Sequence, residues 1–147
     1  MNMISTLTAA DLPRAFEIEC VSHTVPWSEK TFISNQGERY LNLKLCHDQQ
    51  LVAYAITQVV LDEATLFNIT VAPDHQRHGY GRQLLEHLIA ELEHRGILTL
   101  WLEVRASNVR AIALYQSMGF NDVSVRRDYY PTANGREDAI IMALPLG

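Results

Sequence analysis

Cysteine is scarce in this chain. Cys20 and Cys46 are the only two in 147 residues; they sit in apolar surroundings, without metal-ligand spacing. No apolar run approaches the roughly 18 residues that a membrane-spanning helix needs. The opening "MNMISTLTAADL" has no basic stretch followed by an apolar one. Low-complexity tracts, internal repeats and Pro/Gly/Ser linkers are missing too. Positive charge is in short supply: 12 Lys and Arg against 17 Asp and Glu give a net charge of -5, with no basic stripe of the kind that grips nucleic acid. The expectation is a reduced, cytoplasmic protein with no nucleic-acid or membrane partner, whose mild acidity would suit a basic protein partner. The length is most simply one domain, 1–147, able to bury roughly 70% of the surface its unfolded chain exposes.

What is present is an alternation of strand and helix signals. A strand is predicted at about residues 4–7, then a helix from Asp11 with Pro13 in its first turn. A second helix starts at the N-cap Ser28, with Trp27 stapling onto Phe32. "YLNLKLCH" and "QLVAYAITQVV", joined by Asp48 and Gln49, read as a hairpin, and "ATLFNITVA" as a third strand. Leu84, Leu85, Leu88, Ile89 and Leu92 fall at helical spacing, and Gly96 ends that run. "ILTLWLEV" is nearly continuous in apolar residues, as strands covered on both faces are. "SNVRAIALYQSMGF" reads as a helix capped by Ser107 or Asn108 and closed by Gly119. Two strands, about 122–127 and 139–144, flank the loop "YYPTANGRE". The order β, α, α, three β, α, β, α, two β predicts a mixed α/β sheet.

One stretch spends two glycines where a helix should begin: "TVAPDHQRHGYGRQLLEHL", residues 70–88. A helix N-terminus presents unpaired N–H groups and a partial positive charge, so anions bind there. Gly79 and Gly81 remove Cβ atoms that would hold a phosphate away; the amides of residues 77–82 then fit a pyrophosphate, with Arg77 and Arg82 adding charge. On spacing alone, a loop needing positive φ explains the glycines as well. A P-loop is excluded because its Lys-Ser/Thr pattern is missing. A dinucleotide fingerprint lacks its third glycine, where Leu84 stands, although Glu103 lies about twenty residues on.

The string from Gln76 to Gly81, after a strand and opening a helix, resembles the Q/R-x-x-G-x-G/A motif of the GNAT acetyltransferases. "EVRASNVRAIALYQSMGF" resembles the second part of that family's pattern. Together the two cover about residues 63–120, and the element order matches over the whole chain. The resemblance implies the GNAT acyl-CoA N-acyltransferase fold, α/β (α+β), with a central mixed sheet of about seven strands and four flanking helices. It implies acetyl-CoA as co-substrate, held by the backbone of Arg77, His78, Gly79, Tyr80, Gly81 and Arg82. The pantetheine arm and the oxyanion are assigned to the backbone of Ile69, Thr70 and Val71. Further stretches, among them "VPWSEKTFISNQGERYL" and "RRDYYPTANGREDAIIMALP", resemble bacterial members whose acceptor is the N-terminal alanine of a small-subunit ribosomal protein.

Acetyl transfer to an amine needs a proton acceptor, a stabilised oxyanion and a proton for the departing thiolate. Glu103 ends the "TLWLEV" strand, where apolar neighbours would make it a stronger proton acceptor, although the residues alone read equally well as a solvated carboxylate at a strand end. By resemblance it is the family member's base. Tyr115 lies two turns after Asn108 on one helical face; the resemblance makes it the general acid, with Asn108 bonding the cofactor. An α-amine near ~7.8 loses its proton at pH 7 for about 1 kcal/mol, a lysine near ~10.4 for about 4.6. A single carboxylate therefore suffices for an N-terminus. Acetylation of lysines or small amines, and a non-catalytic CoA-binding module, stay open as alternatives. His75, His78, His87 and His94 lack HExxH or Cys/His spacing, so no metal is expected. Tyr129, Tyr130, Arg126 and Arg127 are read as a loop between strands, suited to lining a peptide channel.

Overall fold

The elements follow the predicted order. The computed structural model describes residues 1–147 as β1 (Asn2–Thr6), α1 (Leu12–Ser22), α2 (Glu29–Ser34), β2 (Leu43–His47), β3 (Gln50–Val60), β4 (Glu63–Val71), α3 (Tyr80–His94), β5 (Thr99–Arg105), α4 (Val109–Ser117), β6 (Asn121–Thr132) and β7 (Gly135–Pro145). Local chemistry accounts for the joints. Asp48 and Gln49 both take left-handed φ, 50° and 71°, which suits the twist of a two-residue hairpin between β2 and β3. Ser28 caps α2 by accepting the Thr31 N–H at 3.1 Å, and Trp27 packs edge-on to Phe32.

Two helices end in the same way. Gly96, at φ 78°, closes α3 while Ile97 N–H reaches back to the Leu92 carbonyl at 3.0 Å. Gly119, at φ 101°, closes α4 while Phe120 N–H reaches the Tyr115 carbonyl at 3.0 Å. Phe120 then packs on the Tyr115 ring, which fixes that side chain.

All seven strands form one sheet in the order β1-β2-β3-β4-β5-β7-β6. On one face Leu84, Leu85, Leu88 and Leu92 of α3 bury completely against Leu45, Leu66, Leu100 and Leu102, each leucine contributing about 2 kcal/mol. On the other face Ala15, Ile18 and Phe32 of α1 and α2 pack on Tyr54 and Ile56. Because α1 lies over β3 and β4, β5 is not sealed on both faces as its apolar run suggests. Leu100, Leu102 and Val104 are buried toward α3, whereas Trp101, Glu103 and Arg105 on the opposite face are half-buried. Cys20 also departs from the apolar surroundings expected for it: it is exposed, and Cys46 is half-buried.

The last hairpin is longer than predicted. Tyr129, Tyr130 and most of "YYPTANGRE" belong to β6 and β7. A register shift between Arg126 and Tyr130, with Asp128 at φ 53°, breaks the alternation that would have marked a strand. The Asp128 N–H is compensated by Asp138 Oδ1 at 2.9 Å.

The feature that makes the site is a seam inside the sheet. β4 and β5 are its one parallel neighbouring pair, and they are paired only from Glu63↔Thr99 to Leu66↔Leu102. Beyond Leu66 the strands part, and β4 carries an extra residue, Phe67, where its register against β3 slips.

Candidate active site

A cavity of about 360 Å³ opens where the strands part. Ile69, Glu103, Asn108, Tyr115 and Tyr130 line it, so five of the residues singled out in the sequence meet there. Glu103 comes from β5, Tyr115 from α4, and Tyr130 joins them from β6.

Glu103 does not stand in the apolar setting expected of it. Arg126 Nε lies 3.0 Å from Oε2 as an ion pair without hydrogen-bond alignment, and the Tyr129 hydroxyl donates to Oε1 at 3.4 Å. The Arg126 guanidinium sits 5.2 Å from the Tyr129 ring centroid. The bulge in β6 aims these side chains back at β5. Arg127 instead faces Asp138 at 3.8 Å and is exposed.

Burial, and then the charge of Tyr130, push the Tyr115 phenol up to about 12. It has no hydrogen-bonding partner in the protein, so it faces the cavity as a free donor. Burial and then Glu103 push Tyr130 up to about 12 as well, and its ring carries Arg105 at 4.6 Å. Asn108 caps α4, accepting the Ala111 N–H at 3.2 Å, which leaves its amide nitrogen free.

Leading away from the cavity, β4 presents alternate peptide groups to the open seam. The Ala72 N–H bonds the Val52 carbonyl at 2.8 Å, which sets the alternation: the main chain of Thr70 is turned to β3, and those of Ile69 and Val71 to the seam. Thr70 thus differs from the expectation that all three bind the arm. Its hydroxyl is 2.9 Å from His23 Nε2 and donates to Asn68.

Past β4 the chain reaches the glycine turn. The amides of residues 77–82 donate to no protein acceptor, and the first hydrogen bond of α3 is from Gln83 N–H to the Gly79 carbonyl at 3.0 Å. Arg77 and Gly79 take φ 69° and 78°, a conformation that points successive N–H groups to one side. Nothing in the protein requires glycine at 81. Its Cβ would meet only Val71 Cγ2 at 3.8 Å, so its bareness leaves space above the helix start. The turn fits a pyrophosphate, and the seam fits an extended arm.

The side chains around the turn are partly committed elsewhere. Arg82 donates to Ser117 on α4 at 2.8 Å, which leaves Arg77 as the free cation. Tyr80 is buried; its hydroxyl is 3.2 Å from His47 Nδ1, and its ring packs against His47 and His78.

The description "Acetyltransferase (GNAT) family" matches residues 4–120. The chain belongs to the GNAT acetyltransferase family. Acetyl-CoA is the acyl donor of that family. The chain is 70% identical over 146 residues, covering 99% of both chains, to the [ribosomal protein bS18]-alanine N-acetyltransferase of Salmonella typhimurium. The crystal structure of the ribosomal-protein-S18-alanine N-acetyltransferase from Escherichia coli superposes with a TM-score of 0.98 at 68% identity, covering 100% of this chain and 95% of that one. Arabidopsis thaliana NAA60 in complex with acetyl-CoA shares the fold, with a TM-score of 0.88 at 16% identity over 99% of this chain and 98% of that one. No helix is long and apolar enough to cross a membrane.

One polar cluster at this site was not foreseen from the sequence. Glu19 is buried, lines the cavity and bonds Tyr54, Asn68 and the main chain at Trp27. A signal did exist. Ala15, Ile18 and Glu19 share the buried stripe of α1, where an acid is out of place unless it is partnered.

Proposed function

We propose that this GNAT member is an acetyl-CoA-dependent Nα-acetyltransferase that acetylates the N-terminal alanine of ribosomal protein bS18 by direct transfer, with residues 1–147 acting as one domain in the cytoplasm. The observation that carries the reading is the meeting of Glu103, Tyr115 and the open main chain of Ile69 at one seam, in a chain near-identical in length to relatives of that activity.

Acetyl-CoA supplies the thioester acyl group. The amides of residues 77–82 bind its pyrophosphate, with Arg77 adding charge. The seam-facing groups of Ile69 and Val71 bind the arm as an added strand would. The N–H groups along that edge also stand where negative charge develops on the acyl oxygen. Glu103, pointing away from α3, takes the proton of the acceptor amine from the α1 side of the sheet. The Tyr115 phenol is protonated at neutral pH, the more firmly for its burial, so it meets the departing sulfur as a donor. The acyl donor thus lies on the α3 and α4 side and the acceptor on the other, which lets both be held at once.

The test is intact-mass analysis of purified bS18 after incubation with the protein and acetyl-CoA. One added acetyl at the first residue is expected. Equal turnover of a peptide with a blocked N-terminus and an internal lysine would move the acceptor to lysine. Acetyl-CoA binding with no transfer to any amine would reduce the protein to a binding module.

A further inference from the structure

Glu19 is the one carboxylate buried in the core, 1% exposed at the floor of the cavity, and the chemistry proposed above gives it no task. Its Oε2 accepts the Trp27 N–H at 2.8 Å. Its Oε1 accepts Asn68 Nδ2 at 2.8 Å and the Tyr54 hydroxyl, while His23 Nε2 stands 3.4 Å away and bonds Thr70. One carboxylate thus gathers α1, the segment after it, β3 and β4.

The segment it gathers is otherwise loose. Residues 23–27 make no main-chain hydrogen bond to any other main-chain group. The bond from Trp27 N–H to Glu19 is what ties their backbone down. Yet His23, Val25, Pro26 and Trp27 form one wall of the cavity, on the face to which Glu103 projects. Asn68, held by the same carboxylate, directly follows the extra residue Phe67 at the seam.

We propose that Glu19 is a positioning residue that pins the acceptor wall, residues 23–27, to the open seam of β4, and thereby sets how tightly and how selectively the first residues of the substrate are held. The proposal rests on the acceptor entering from the α1 side. A carboxylate suits the task because it only accepts, and every group aimed at it donates. A glutamine of equal size keeps its one oxygen for the two donors at the Oε1 position, Asn68 and Tyr54, and turns its NH2 group onto the Trp27 N–H.

Two measurements on Glu19→Gln decide it. By NMR, exchange of the Trp27 amide should accelerate about tenfold or more, the factor that loss of one charge-assisted bond brings. In steady-state kinetics with an alanine-initiated peptide, acceptor KM should rise about tenfold with acetyl-CoA KM within about twofold, and the preference for alanine over phenylalanine at the first position should shrink. Unchanged Trp27 exchange, or the two KM values rising together, overturns the proposal. If Glu19→Gln does not fold, Tyr54→Phe removes one donor and should move the same readings in the same direction; no movement overturns it. Failure of the wild type to acetylate the peptide would strike the functional reading, while Trp27 exchange would still report on the tie.

Discussion

Arg126 backs Glu103: its Nε lies 3.0 Å from Oε2, and neither Arg126 nor Tyr129 lines the cavity that Glu103 faces. The carboxylate therefore meets substrate on one side and a guanidinium on the other. Glu103→Gln keeps the shape and removes the proton acceptor, so kcat should fall about 10²- to 10⁴-fold with acetyl-CoA affinity nearly unchanged. Arg126 is half in solvent, and Arg126→Gln should cost less than about tenfold, with Arg126→Lys recovering part of it. Steady-state kinetics on the three variants ranks them; an Arg126→Gln loss equal to that of Glu103→Gln would contradict this division.

Tyr115→Phe removes a hydroxyl that bonds nothing in the protein. Its Tm should stay within a few degrees of wild type, while kcat drops about 10²-fold or more. Thermal melting alongside kinetics separates this from a packing defect, in which both would fall.

The two glycines of the turn should fail differently. Gly79 sits at φ 78°, so Gly79→Val strains the backbone by about 1–2 kcal/mol and lowers Tm. Gly81 has no such demand, and Gly81→Val should fold normally while its side chain covers the bare amides. Calorimetry with acetyl-CoA should show affinity lost in Gly81→Val without loss of Tm.

Alkaline stability follows from the buried phenols. Tyr115 and Tyr130 rise from 10.0 to about 12 on folding, chiefly through burial. The folded state then holds protons that the unfolded state releases above pH 10. Their contribution is full below pH 10 and is lost as pH climbs toward 12, by on the order of 3 kcal/mol for the nearly sealed Tyr115. Denaturant melts at pH 9 and 11.5 should show that loss, and Tyr115→Phe should reduce it.

The strand and helix order was legible because its signals are local. Helical spacing of leucines marks α3, Gly96 and Gly119 mark two helix ends, and Ser28 marks a helix start. What escaped depends on register. The long β6–β7 hairpin hides behind the shift at Arg126 and Tyr130, and a loop was the natural reading of a broken alternation. The place of Thr70 turns on which pairs of an antiparallel ladder exchange bonds, a parity no residue type announces. For Glu103 the neighbours in sequence are apolar, but the neighbour in space is Arg126, from another strand. Glu19 was readable in principle, since it interrupts an apolar stripe; its partners Tyr54 and Asn68 were not.

The two halves of this sheet, β1 to β4 and β5 to β7, share a border of only four residue pairs, Glu63↔Thr99 to Leu66↔Leu102. An acyl donor threaded along that border would act as a rivet between two plates. Occupancy should then stiffen the molecule far from the chemistry, and a released product should leave behind a protein that flexes about the same line.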